Sequence, residues 1–423
     1  MNKKLIILLA AAFVFRLILT PLLWHPDLNN HIDWGIRFWE YGPLTFYTEN
    51  VWNFTWPNQP PATMYMFAII RKVYEAIFGV LWFVNIKISL FPSNIITFSE
   101  TQLYPILLKI PAILADLGIA VLIYKFLEMM NKKRFALIGA FVYLANPVIW
   151  YNSSVWGQTD SIINFFILLS FYFLFKKRRY LSVFAFLFSL YFKVSLVIFL
   201  PIYIIIAIKE KKKIGEYIKA TLLSILIIGI LTIPFAGGEP FSWLRALYTD
   251  KIFGQQLQVI TANAFNLWAF TTGISKEISH GLLLGPITYQ VWGIILFILA
   301  YIPTLVLVKR RGNITDVVWS LSMAAISAFM LLTNMHERYL YPFFPVFTIL
   351  AVTQKDLFIF YWVISGISLI NMYNYWWGPR IEAIVNLLTY NDRIVARMLA
   401  FIAFAVFVYL YIRFLRHLKQ VKI

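Results

Sequence analysis

The chain has 423 residues, 61% hydrophobic and 13% charged, against about 25% charged in soluble globular domains, so a soluble fold is excluded. Apolar runs near 20 residues recur along its length and point to membrane-spanning helices, without the period-two alternation of a barrel. The net charge of +18 would suit a nucleic-acid binder, but the basic residues cluster between apolar runs as in cytoplasmic loops, and the lack of cysteine excludes disulfides and thiol–metal sites.

Lys3 and Lys4 precede an apolar run at 5–23 that Arg16 interrupts. No small-residue cleavage site follows, so the run reads as a retained signal anchor. Residues 24–102 form a long aromatic and acidic loop. Within it, 62–82 is apolar enough to span, yet Arg71, Lys72 and Glu75 give it a polar face, as a helix lying flat in the interface requires. Lying flat also places every basic cluster (132–134, 176–179, 211–213, 309–311 and 413–422) on the inner side. Further spans are expected at 103–129, 135–151, 160–175, 180–207, 218–236, 287–308, 316–333, 340–354, 357–372 and 395–415. The stretch 180–207 is basic at both ends with Lys193 at its middle, and is better read as two short helices meeting outside.

The expected fold is an all-α polytopic membrane protein with about 12 transmembrane helices and interfacial helices in its first outer loop. It is a single integral-membrane domain, 1–423. Its parts are the first span 5–23, an outer catalytic loop 24–102, a helical module 103–236, an outer loop 237–286 and C-terminal spans 287–423. Both termini then lie in the cytoplasm, and most acidic residues lie outside, which places any chemistry at the outer face.

Candidate residues collect at the expected outer span ends. Asp27 stands four residues past the first span, where partial desolvation raises a carboxylate's affinity for a proton and suits it to general base work. A hydrated juxtamembrane aspartate or a helix cap is the structural alternative. Asp33 is a second carboxylate nearby. The run Trp156-Gly157-Gln158-Thr159-Asp160-Ser161 joins two spans, and Asp160 or Thr159 there equally suits a helix cap. His336-Glu337-Arg338-Tyr339 offers cations to a phosphate, or merely a weak Glu337–Arg338 surface pair. It is no zinc motif, because Leu340 stands where the second histidine is needed.

Lys109 and Asp116 are seven residues apart, on one face of the 103–129 helix; with Lys193 they are ionisable groups at membrane depth and therefore functional candidates. A structural ion pair explains Lys109 and Asp116 equally well. In the loop 237–286, Trp243, Gln255, Gln256, Asn263, Asn266 and Trp268 are of types that stack on sugars and bond hydroxyls, although aromatics are also common at any membrane interface. The sequence shows no cluster of metal ligands and no cofactor motif.

Taken together, these residues resemble the GT-C superfamily of integral-membrane glycosyltransferases. The likeness is greatest to the polyprenyl- or dolichyl-phosphate-sugar-dependent glucosyl- and mannosyltransferases of lipid-linked oligosaccharide assembly and their prokaryotic relatives. Asp27, Trp34, Tyr47 and Pro60-Pro61 match that family's first loop, with Gln59 where a tyrosine is usual. Lys109, Asp116, Asn146-Pro147, Trp156-Gly157-Gln158, Asp160 and His336-Glu337-Arg338 continue the pattern.

The resemblance implies inverting transfer of a hexose, mannose or glucose, from a polyprenyl-phosphate carrier to a glycolipid, lipid-linked oligosaccharide or other glycan acceptor. Asp27, or Asp33, would be the base, with spacing favouring Asp27. Lys109, Lys193, His336 and Arg338 would meet the phosphate, and Gln158 and Asp160 the sugar hydroxyls, with no metal. The implied setting is the outer face of a prokaryotic plasma membrane. A transporter or flippase of lipid-linked sugars is the alternative, although it would place charges at mid-membrane and repeat its halves.

Overall fold

The computed structural model describes residues 2–254, 257–275 and 277–420. Helices form most of it, since a backbone in lipid must satisfy its own hydrogen bonds. Helix α1 (Lys3–Leu19) starts at an Asn2 cap and α2 (Asp27–Tyr41) follows a short turn. Gly42, at φ 73°, turns the chain into the four-residue α3 (Pro43–Phe46). The diproline then starts α4 (Pro61–Lys87). Helix α5 (Asn94–Phe98) runs through a π-turn into α6 (Tyr104–Met129). Helix α7 (Lys133–Ala145) stops at Asn146, whose side chain caps α8 (Pro147–Trp150), and a second π-turn leads to Trp156.

The remaining helices are α9 (Asp160–Phe175), α10 (Arg179–Phe192), α11 (Leu200–Lys209), α12 (Ile214–Ala236), α13 (Pro240–Ala246), α14 (Leu267–Thr272), α15 (Tyr289–Arg310), α16 (Ile314–Leu331), α17 (Phe343–Ala351), α18 (Lys355–Tyr373) and α19 (Glu382–Gln420). Helix α19 is broken by non-helical residues at Tyr390–Arg393. A hairpin of two two-residue strands, Leu283–Leu284 and Ile287–Thr288, precedes α15.

The chain is an all-α membrane protein, but the expected dozen spans are not all present as such. Among the described residues, six helices are long and apolar enough to cross a membrane, or seven if the pair α7 and Pro147–Trp156, bent by 49°, counts as one. The difference has a physical cause. The expected span 340–354 is helical only over the nine residues of α17, about 14 Å at 1.5 Å per residue, and every one is buried in protein. Helices α9 and α10 are also short, and the chain breaks at Lys193 between α10 and a 3₁₀ turn, Val194–Phe199, that leads into α11. Apolarity here serves a protein core as much as lipid.

Helix α4 is not among the six. Its first two turns are buried, while Ile69, Val73, Val80, Phe83 and Ile86 lie exposed farther along. The first loop is well packed: Leu28, Trp34, Phe38, Phe46, Tyr47 and Phe67 form a second apolar core with Tyr104, Leu108 and Phe235. Trp34 Nε1 donates to Thr55 O at 2.8 Å, tying α2 to the segment before the diproline.

Candidate functional site

The charged residues of three distant segments meet where α2, the turn at Trp156–Asp160 and the loop before α17 come together. Gly157 makes the approach possible. It adopts φ +91°, and a side chain there would stand 3.0 Å from Leu28. With α2 this close, Gln158 Nε2 donates to Asp27 Oδ2 at 2.5 Å. His25 stacks on Trp156 at 4.2 Å, and its Nδ1 accepts the Asp27 backbone N–H at 3.0 Å.

Arg338 is the hub. Its Nη1 lies 3.4 Å from Asp27 Oδ2 and 3.2 Å from Glu337 Oε1, and its Nε lies 4.0 Å from Asp160 Oδ2. That Nε is buried without a hydrogen-bond partner. Asp160 is held by Lys193 Nζ at 2.9 Å and Asn152 Nδ2 at 3.2 Å. Both cations lie 5.6 Å from the Tyr339 ring. The break in the helix at Lys193 thus delivers the ammonium to the start of α9.

This arrangement corrects the expectation for Asp27. Burial does push its carboxyl up, but Arg338, and after it the neighbouring His25 and His31, outweigh burial and hold it well below the usual carboxylate range. It is a firmly ionised group, with a side chain 31% exposed. His31, one helical turn on, is buried, stacks on Phe67 at 4.5 Å, and has no hydrogen-bond partner at Nδ1. Sequence reading passed it over, although four residues from Asp27 on a helix is a same-face spacing.

A cavity of about 900 Å³ opens beside the hub. Asp160, Asn164, Lys193, His336, Arg338 and Tyr339 line it on the junction side. The first loop adds Trp56, Asn58 and Gln59, and the long loop adds Lys251, Gln258 and His280. Asp27 is not among the residues that line it; its part-exposed carboxylate meets Arg338.

Other expected site residues are placed elsewhere. Asp33 accepts the backbone N–H and side-chain amide of Asn53 at 3.0 and 2.8 Å, with Arg37 at 3.5 Å, which fixes the loop rather than facing the cavity. Lys109 donates to the carbonyls of Thr20, Leu23 and Val155 at 2.7, 2.9 and 3.2 Å. It does not pair with Asp116, whose partners are Arg16, Tyr143, Ser153, Ser161 and Tyr341.

Asn266 caps α14 and donates to Phe329 O, while Trp268 Nε1 donates to Leu331 O. Asn263 bonds Glu337 Oε2 and Asn374 O, so it supports the hub indirectly. The backbone of His336 bridges Ala262 and Asn263. Gln255 and Gln256 lie outside the described residues. Among the described residues, no group of three acidic, histidine or cysteine side chains is placed to hold a metal ion.

Residues 50–377 match the model of the family described as GPI transamidase subunit PIG-U. The chain belongs to the PIG-U family. The matched stretch includes Gln158, Asp160, Lys193 and Arg338, while Asp27 and His31 precede it. A curated protein of Archaeoglobus fulgidus, dolichyl-phosphooligosaccharide-protein glycotransferase 1, is 36% identical over 89 residues, which is 20% of this chain and 14% of that protein. The chain therefore spans only a small part of that relative's length. At a coarse level both likenesses agree with a membrane protein of glycosyltransferase-like family.

Proposed function

We propose that the cavity binds a glycan carried on a polyprenyl phosphate, and that the chain transfers a hexose from that carrier to a glycan or lipid acceptor. The observation that carries this reading is Arg338, shared loosely among three carboxylates at the wall of a cavity that also receives Lys193. Such a guanidinium, with a buried N–H unpartnered, is ready for a phosphate.

The same geometry links binding to reaction. A phosphate that engages Arg338 weakens its hold on Asp27, and the proton affinity of Asp27 rises as the donor arrives. The acceptor hydroxyl then attacks the anomeric carbon and its proton passes to Asp27. The carbon–oxygen bond to phosphate breaks, and the lipid phosphate leaves toward Lys193 and Arg338. In-line attack inverts the anomeric centre.

The test is Asp27→Asn in membranes supplied with a labelled polyprenyl-phosphate sugar. Transfer should fall about 10²–10⁴-fold while donor binding persists. Transfer near the wild-type rate would remove Asp27 as the base.

A second reading is favoured by the absence of Asp27 from the cavity lining and by the word "subunit" in the family's description. On that reading the chain holds a phosphate-bearing glycolipid for a partner enzyme. The purified chain would then bind the lipid and form no product with any acceptor.

A further inference from the structure

One buried polar group on the cavity wall has no task within the protein. Gln59 is 9% exposed, lines the cavity, and its Oε1 has no hydrogen-bond partner. Folded proteins pair nearly all such buried atoms, because an unpaired one keeps the cost of desolvation.

The backbone around Gln59 is held firmly. Tyr47, itself buried, donates its hydroxyl to Gln59 O at 2.6 Å. Pro60 and Pro61 restrict the next two residues. Thr63 Oγ1 donates to Phe192 O at 2.8 Å, which ties this turn to the residue before Lys193. A buried side chain carried on backbone fixed in this way, on the same cavity as Lys193 and Arg338, is placed to meet something that enters the cavity. Trp56 and Asn58 line the same stretch, and Lys251 Nζ sits 5.1 Å from the Trp56 ring centre.

We propose that Gln59 is a specificity-determining residue that recognises a sugar hydroxyl. Its Oε1 accepts a hydrogen bond from the first sugar of the carried glycan while Lys193 and Arg338 hold the adjoining phosphate. The proposal rests on the phosphate-site reading above, and it assigns the sugar end of the same cavity.

The full chain in lipid nanodiscs is titrated with two lipids: a short polyprenyl phosphate and the same lipid bearing one hexose. The wild type should bind both, the hexosyl form more tightly. Gln59→Leu should weaken the hexosyl lipid about five- to tenfold, the worth of one hydrogen bond to a neutral acceptor, and leave the bare phosphate within twofold, which also shows that the variant is folded. Lys193→Ala should weaken both lipids. Equal loss for both lipids in Gln59→Leu, or no loss for either, overturns the role of Gln59. Failure of the wild type to bind the bare phosphate overturns the phosphate site, and the Gln59 proposal falls with it.

Discussion

Around Arg338 a few ångströms decide which side chains are charged. Asp27, Asp160 and Glu337 share its guanidinium, and Lys193 supplies a second cation to Asp160. His31 sits among these charges. Burial pushes its imidazole down to about 4, with Asp27 opposing and Lys193 and Arg338 reinforcing the shift. In an unfolded chain a histidine titrates near 6.5. Between about pH 4 and pH 6.5 the unfolded chain therefore binds a proton at this position that the folded chain refuses. Stability rises with pH across that window, is complete above it, and is lost as pH falls toward 4. The contribution is roughly 3 kcal/mol. His31→Phe keeps a ring against Phe67 and removes the titration. The thermal midpoint of the variant in detergent should change less between pH 7 and pH 4.5 than that of the wild type; an equal change would show that His31 does not resist protonation. Asp27 shows why the sequence misleads at this scale. Its place at a span end was legible and suggested a raised proton affinity. The charge that reverses this comes from Arg338, more than three hundred residues away along the chain.

Between elements, backbone carbonyls take up several side chains that looked like ligand groups. Lys109 on α6 reaches the carbonyls of Thr20 and Leu23 past the end of α1 and that of Val155 in the π-turn. It pins the segments leading into Asp27 and into Trp156–Asp160. The sequence marked Lys109 as a charge that must be accounted for, yet a carbonyl leaves no trace in residue identity, so an anionic partner was the natural reading. Asn266 shows the same limit, since an amide that suits a sugar suits a helix start equally well. Lys109→Met keeps the apolar stem and strips three hydrogen bonds, leaving carbonyls without partners. A loss of about 3–5 kcal/mol is expected, measured as a fall in the thermal midpoint of the purified protein. A variant as stable as the wild type, with weaker donor binding alone, would instead return Lys109 to the substrate.

Across the whole molecule, apolar runs foretold an all-α membrane protein and its long helices, because the bilayer and the protein core both demand that a backbone bond to itself. They did not foretell which helices reach lipid, since α16 and α17 are as apolar as a span and are enclosed by their neighbours. What fastens this enclosed centre is Asp116. Its carboxylate lies 3.5 Å from Arg16 Nε of α1 and accepts hydroxyls from Ser153, Ser161 and Tyr341 at 2.6, 2.7 and 2.7 Å. Ser153 adjoins Asn152, Ser161 adjoins Asp160, and Tyr341 follows Arg338 by three residues, so one carboxylate ties together the segments that build the hub. Arg16 and Asp116 are fully buried, and removing either leaves the other charge without its counterpart. Arg16→Met and Asp116→Asn should each cost about 3–5 kcal/mol. The double variant should cost clearly less than their sum, because no unpaired charge remains, and a cycle of unfolding measurements in detergent should give a coupling of at least about 1 kcal/mol. Additive losses would mean that the hydroxyls of Tyr143, Ser153, Ser161 and Tyr341 alone hold Asp116, and that Arg16 serves the Ala12 and Leu144 carbonyls to which it also donates.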